Sequence, residues 1–209
     1  MATAAASDRQ WYIVGRWEEF GGEARANLLR IVAVGAFYAV QLAQHFWLGQ
    51  RTAESTAFHQ QATAIAVAWT LVALAVLLAL RLRIFPAALK YVSTACDLLL
   101  LTALAALGAG HNSPLILAYF LIIALAAMRF SLGLVWFTTL GAMAAWWLLV
   151  GLADAKTSSW FDAQHAVPPV TQLITLLSLG LTGVVIGQVV RRAKALAEDY
   201  AGRLKSNKA

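Results

Sequence analysis

The feature that most constrains this chain is a recurrence of apolar runs about twenty residues long. A helix rises about 1.5 Å per residue and a bilayer's hydrocarbon core is roughly 30 Å thick, so about 20 apolar residues cross it. Windows of that kind fall at 28–48, 62–82, 87–110, 114–130, 134–153 and 170–190. The breaks between them are chemically consistent. All four prolines (Pro86, Pro114, Pro168 and Pro169) stand at window starts, where the missing N–H costs a helix nothing. Ser113, just before Pro114, is a good N-cap residue. Composition agrees: 61% of residues are hydrophobic and 12% charged, about half the charged share of an ordinary soluble domain, roughly 25%. Such a chain cannot cover a water-facing surface, and it is too apolar to be disordered. The expected fold class is all-α: a polytopic integral membrane protein with a six-transmembrane-helix bundle.

A net charge of +6 would point to nucleic acid if the charges clustered on one soluble face. They sort by membrane side instead. With a cytoplasmic N-terminus the inner segments hold Arg9, Arg16, Arg25, Arg30, Arg81, Arg83, Lys90, Arg129, Arg191, Arg192, Lys194, Arg203, Lys205 and Lys208, and the outer segments only Arg51 and Lys156. The positive-inside rule then places both termini in the cytoplasm, with no nucleic-acid partner expected. The first 27 residues carry seven charges and no apolar core, so no cleavable signal peptide is expected. Trp47, Trp146, Trp147 and Trp160 fall at the outer boundary and Trp136 near the inner one, the pattern of an aromatic belt. Three regions follow: a cytoplasmic segment 1–27, a six-helix domain 28–190 and a cytoplasmic helix and tail 191–209.

Within residues 8–20, Ile13, Trp17 and Phe20 recur at helical spacing before Gly21–Gly22. This predicts an N-terminal interfacial helix on the inner leaflet, ended by the glycine pair, or else a helix that docks on a partner. At the other end the last window runs without a breaker into Arg191, Arg192, Lys194, Leu196 and Tyr200, which predicts one rod leaving the membrane. Val189, Ala193, Leu196, Tyr200 and Arg203 form a heptad-like seam about two heptads long, short of the three or four that sustain a coiled coil. The rod is therefore read either as a signal-output helix or as a charged cap.

Asp97 is the acidic residue deep inside a window. A charged carboxylate there costs at least about 2.5 kcal/mol, so it should face the bundle interior, with Ser93 and Thr94 completing a small polar face. It is a candidate ligand-binding or ion site, or a structural interhelical bond. Tyr38, Gln41, Gln44 and His45 make a polar stripe on the first window, and Asn112 adds an amide in the third-to-fourth connection; Tyr38, Gln41, His45 and Asn112 join Asp97 as candidate ligand contacts. Gly183 and Gly187 are a GxxxG pair that favours close helix packing. His45, His59, His111 and His165 all fall on the outer side. Imidazole is the commonest metal ligand, so they are candidates for a metal ion, or His45 with His111 for axial ligation of haem, although no local ligand motif links them. The lone Cys96 excludes an internal disulfide and a cysteine-built zinc site. No Walker, HExxH or GxSxG motif occurs, and no catalytic activity is expected.

The strings Asp97-Leu-Leu-Leu-Leu-Thr102, Gly108-Ala-Gly-His-Asn-Ser-Pro-Leu115, Tyr119-Phe-Leu-Ile-Ile and Met128-Arg-Phe-Ser-Leu132 resemble the six-span membrane sensor modules that precede bacterial histidine kinases, Ser/Thr kinases and nucleotide cyclases. The Gly-x-Gly-His-Asn-Ser-Pro loop is distantly similar to the quinone-associated loop of redox-sensing histidine kinases of the RegB/PrrB kind, from which it departs by an extra Ser113 and by Leu115 in place of Phe. Gly187-Gln-Val-Val-Arg-Arg-Ala resembles the exit helix of these modules. The resemblance implies a non-enzymatic sensor in the bacterial cytoplasmic membrane, among membrane lipids, working as a homodimer or as a subunit of a larger membrane complex. Its ligand would be membrane-accessible or on the outer side, and its partner a cytoplasmic kinase or cyclase. Two rival readings stand beside it: an accessory subunit of a respiratory or photosynthetic complex that holds haem, quinone or pigment through the outer histidines, and a small transporter using Asp97.

Overall fold

In a computed structural model the backbone is described for residues 2–48, 53–82, 86, 88–108, 110–157 and 168–206, and side chains within these except at 2–19, 48, 53–55, 153–157, 201 and 204–206. Every element among them is helical. In chain order these are α1 (Ala2–Ala43), closed by a π-helical turn (Gln44–Leu48), α2 (Ala53–Arg81), α3 (Leu89–Leu107), two short 3-10 turns (Gly110–Asn112 and Pro114–Ile116), α4 (Leu117–Ala127), α5 (Leu132–Thr157) and α6 (Pro169–Ser206).

Five helical segments are long and apolar enough to cross a membrane: Phe20–Trp47, Thr56–Arg81, Leu89–Leu107, Leu132–Leu152 and Pro169–Tyr200. The fourth expected span is shorter. Pro114–Ala127 reaches about 21 Å at helical rise, less than the roughly 30 Å of hydrocarbon. Its start follows the expected chemistry, since the Ser113 hydroxyl accepts a hydrogen bond from Leu115 N–H. The outward surface is apolar along these segments, with Leu71, Leu78, Leu99, Leu117, Leu140 and Leu177 all exposed. Exposed apolar area on that scale marks a surface made for lipid or another apolar partner.

The core lies between α3, α4, α5 and α6. Leu101, Ala105, Tyr119, Ile123, Ala142, Trp146, Leu149 and Leu179 are buried together. The Thr102 and Tyr119 hydroxyls are 2.8 Å apart and join α3 to α4. Trp146 corrects an expectation: it is 2% exposed, inside this core, and its indole nitrogen has no hydrogen-bond partner among the described residues. Trp47 and Trp147 do face outward. On adjacent residues of one helix, a 100° turn separates core from surface.

The glycines behave differently from expectation at the N-terminal end. Gly21–Gly22 does not end a helix; α1 runs unbroken through it and across the expected boundary after residue 27. The reason is tertiary. A Cβ on Gly22 would meet the Met128 carbonyl oxygen at 2.7 Å and the Arg129 Cα at 3.3 Å, so the residue admits the α4–α5 turn rather than breaking its own helix. Gly183 and Gly187 pack closely, as small residues at that spacing allow, and they do so within the chain. Gly183 lies against Thr139 and Gly187 against Leu132, seating α6 on α5.

Candidate functional site

The polar centre of the molecule is a pair of ion pairs between α1, α3 and the α4–α5 turn. On α1, Glu23, Asn27 and Arg30 recur at four and then three residues, which puts them on one helix face. On α3, Ser93 and Thr94 stand four and three residues before Asp97, again on one face. All six are buried, as is Arg129 in the turn.

Arg30 holds Asp97 with two parallel bonds, Nε to Oδ1 and Nη2 to Oδ2, each 2.7 Å. Its remaining arm donates to Asn27 Oδ1 at 2.7 Å, and the Asn27 amide donates on to the Ala73 carbonyl of α2 at 3.1 Å. The Trp69 indole of α2 adds a third donor to Asp97 Oδ1, at 2.8 Å. The planar guanidinium fork suits this bidentate geometry, which an ammonium could not supply. The second pair is Glu23–Arg129, with Nε 2.8 Å from Oε2 and Nη2 2.9 Å from Oε1. Arg129 also donates to the Lys90 carbonyl and to the Thr94 hydroxyl. Burial pulls the Arg129 guanidinium below the usual arginine range, and Glu23 is the main influence opposing it. Two positive and two negative side chains make the cluster neutral, which is what a low-dielectric interior requires.

Asp97 thus faces the interior as expected, and its partners correct the sequence reading. The sequence reading places Arg30 and Arg129 among the inner-side charges and Glu23 in the N-terminal segment and gives none of them a partner; all three are buried and paired.

Beyond this cluster a groove runs between α1 and its neighbours α2, α3 and α4. Its deeper part is lined by Arg30, Val34, Phe37, Trp69, Asp97 and Leu101, with α4 residues such as Ile122 on the far side. The part beyond it, about 570 Å³ of partly open space, is lined by Tyr38 and Gln41 of α1, Phe58, Ala62 and Ala66 of α2, and Leu104 of α3. The two parts share Val34, Phe37, Trp69 and Leu101 as walls, so they adjoin. Three of the expected ligand contacts (Tyr38, Gln41 and Asp97) therefore line one groove. Asn112 sits exposed on its 3-10 turn and lines neither part.

At the Gln41 end the π-helical turn sets His45 face to face with His59, ring centroids 4.2 Å apart and nearly parallel. Tyr38 stacks more loosely on His59. Face-to-face imidazoles direct their in-plane nitrogen lone pairs along parallel planes, not toward one ion, so this pair does not fit a shared metal or a haem held between the two rings. No group of three or more His, Cys, Asp or Glu gathers among the described residues. His111 stands apart on its own turn with no ring contact to the pair, and His165 lies outside the described residues.

Arg191, Arg192, Leu196 and Tyr200 project from the exposed far half of α6, whose helix is continuous from Pro169 to Ser206. No family model matches this chain, and no curated protein or solved structure matches it, so any function assigned to it stands on the groove, the ion pairs beneath it and the helix that leads away.

Proposed function

We propose that the chain is a non-enzymatic, sensor-like membrane module. It takes a membrane-accessible ligand into the groove beside α1 and passes occupancy to a partner through the far half of α6. The observation that carries this reading is the position of the ion pair: Arg30 and Asp97 form the floor of the groove. An occupant therefore rests on the bonds that hold α1 to α2 and α3. From there α3 and α4 pack on α5, and α5 packs along α6. Ligand and partner would then bias one shared arrangement of helices, which is what coupling between two sites requires.

In this reading the chain crosses the bacterial inner membrane six times, with Pro114–Ala127 as a short fourth crossing and both termini in the cytoplasm. The N-terminal part of α1 then lies on the inner side. Arg191, Arg192, Leu196 and Tyr200 form the surface met by a cytoplasmic kinase or cyclase that lacks a membrane part of its own.

The test uses the full chain in lipid nanodiscs with Cys96→Ser as background and spin labels at positions 81 and 196, both exposed. Filling the groove with Ala66→Trp is expected to shift the distance distribution between the labels. Superimposable distributions for the filled and parent chains would overturn the coupling. A reporter fused after Ala209 that proved external would overturn the topology.

A further inference from the structure

The hydrogen bonds at the Gln41 end of the groove specify a ligand more narrowly than its shape does. The Tyr38 and Thr63 hydroxyls are 3.1 Å apart, and either oxygen is in principle the donor. The Thr63 hydrogen, however, is engaged by the His59 carbonyl at 2.7 Å. Tyr38 must therefore donate to Thr63, which leaves the Tyr38 oxygen with an open acceptor site. One turn further along, Gln41 lines the same wall and makes no hydrogen bond among the described residues. Its amide offers both a donor and an acceptor. A hydroxyl is the simplest uncharged group that can give one hydrogen bond to Tyr38 and take one from Gln41.

Charge narrows the class again. Among the described residues the charged side chains that line the groove are Arg30 and Asp97, and each is charge-paired with the other and further held by Asn27 or Trp69. A carboxylate or phosphate head seated at Gln41 would find no unpaired lysine or arginine among the described groove-lining residues, and burying an unpaired ion is strongly unfavourable. Below the head the walls are apolar: Val34, Phe37, Ala62, Ile65 and Leu104. We infer that the groove binds an uncharged single-chain amphiphile, its hydroxyl head between Tyr38 and Gln41 and its apolar tail running toward Trp69. This inference rests on the groove being the ligand site of the proposed sensor, and it names that ligand's chemistry.

The test is photolabelling of the full chain in phosphatidylcholine nanodiscs with a diazirine-bearing hexadecanol. Labelling is expected on peptides containing residues 34–41 and 58–69, and excess hexadecanol should suppress it even though phospholipid is present throughout. Palmitate at pH 8 and hexadecyl methyl ether, which lacks the donor, should compete at least about threefold less well, the value of one lost neutral hydrogen bond. Tyr38→Phe and Gln41→Leu should each weaken hexadecanol competition roughly three- to tenfold, and Ala66→Trp should abolish the protected labelling. Equal competition by palmitate or by the ether would overturn the hydroxyl assignment. Labelling that excess hexadecanol fails to suppress would overturn the amphiphile. Saturable labelling of a chain whose α6 distances do not respond to groove filling would keep the binding site and remove the sensor reading, so the two failures are distinguishable.

Discussion

Two stretches of one helix, 22–30 and 31–41 of α1, share a sequence style and differ in almost everything else. In the first, Glu23, Ala26, Asn27 and Arg30 are each at most 3% exposed. In the second, Val32, Phe37 and Val40 are exposed by 41% or more. On the first stretch the buried face is polar and charged while Leu28 and Leu29 are exposed, the reverse of a water-soluble protein, and on the second no residue is buried. In lipid there is no hydrophobic gain in moving Val40 from acyl chains to another helix, so association follows close backbone approach and hydrogen bonds. Gly22 and the charge cluster supply both to the packed stretch, whereas the open stretch reaches α2 through the Tyr38–Thr63 hydroxyl pair, and the groove opens beside that contact.

That contrast is open to attack from both stretches. The largest effect is expected from Arg30→Met, which strands Asp97 in the interior. Unpairing a buried ion costs about 3–5 kcal/mol, measurable as a lower midpoint of unfolding by denaturing detergent. The double change Arg30→Met with Asp97→Leu should recover most of that loss, because a buried pair replaced by apolar side chains of similar volume is often neutral. Next is Gly22→Ala, whose methyl has no room beside Met128; overpacking of this kind costs about 1–3 kcal/mol. Trp69→Phe removes one of the three donors to Asp97 and should cost about 1 kcal/mol, with the Arg30 bonds intact. The smallest effect is expected from Gly35→Ala on the open stretch. Nothing lies within 4 Å of a Cβ there, so the helix should gain up to about 1 kcal/mol. Opposite signs for the two alanine substitutions, on one helix and in one assay, would establish the contrast; equal signs would dissolve it.

The same contrast explains what was legible in the sequence. Five of the six expected apolar helices read directly as long enough to cross a membrane, because hydropathy over twenty residues is an intrinsic property of a segment. Asp97 read as interior for the same reason: a lone carboxylate in an apolar run has nowhere else to go. Ser93 and Thr94 followed by spacing. The pairing of Arg30 with Asp97 and of Arg129 with Glu23 was not legible, because counting basic residues by side treats each as a boundary marker and says nothing of a partner. A signal was present, since Glu23, Asn27 and Arg30 share the one-face spacing used to read α3. It points inward only when set against the matching acid and hydroxyls 70 residues away. Gly21–Gly22 misled in the same manner. As local propensity it reads as a helix end, and only the approach of the α4–α5 turn reveals its use. The groove itself was half legible, as the Tyr38–Gln41 stripe, while its walls on α2 and α3 required the packing.

The unbroken run of α6 has a mechanical consequence. Its 38 residues make a rod about 57 Å long, nearly twice the thickness of a bilayer core. Gly183 pressed onto Thr139 is a natural fulcrum, and Tyr200 is 17 residues along the rod from it, a lever arm of about 25 Å. A tilt of only about 5° at that fulcrum swings the Tyr200 backbone by about 2 Å, so a rearrangement too small to disturb the packing of α5 is amplified where the helix stands clear of its neighbours.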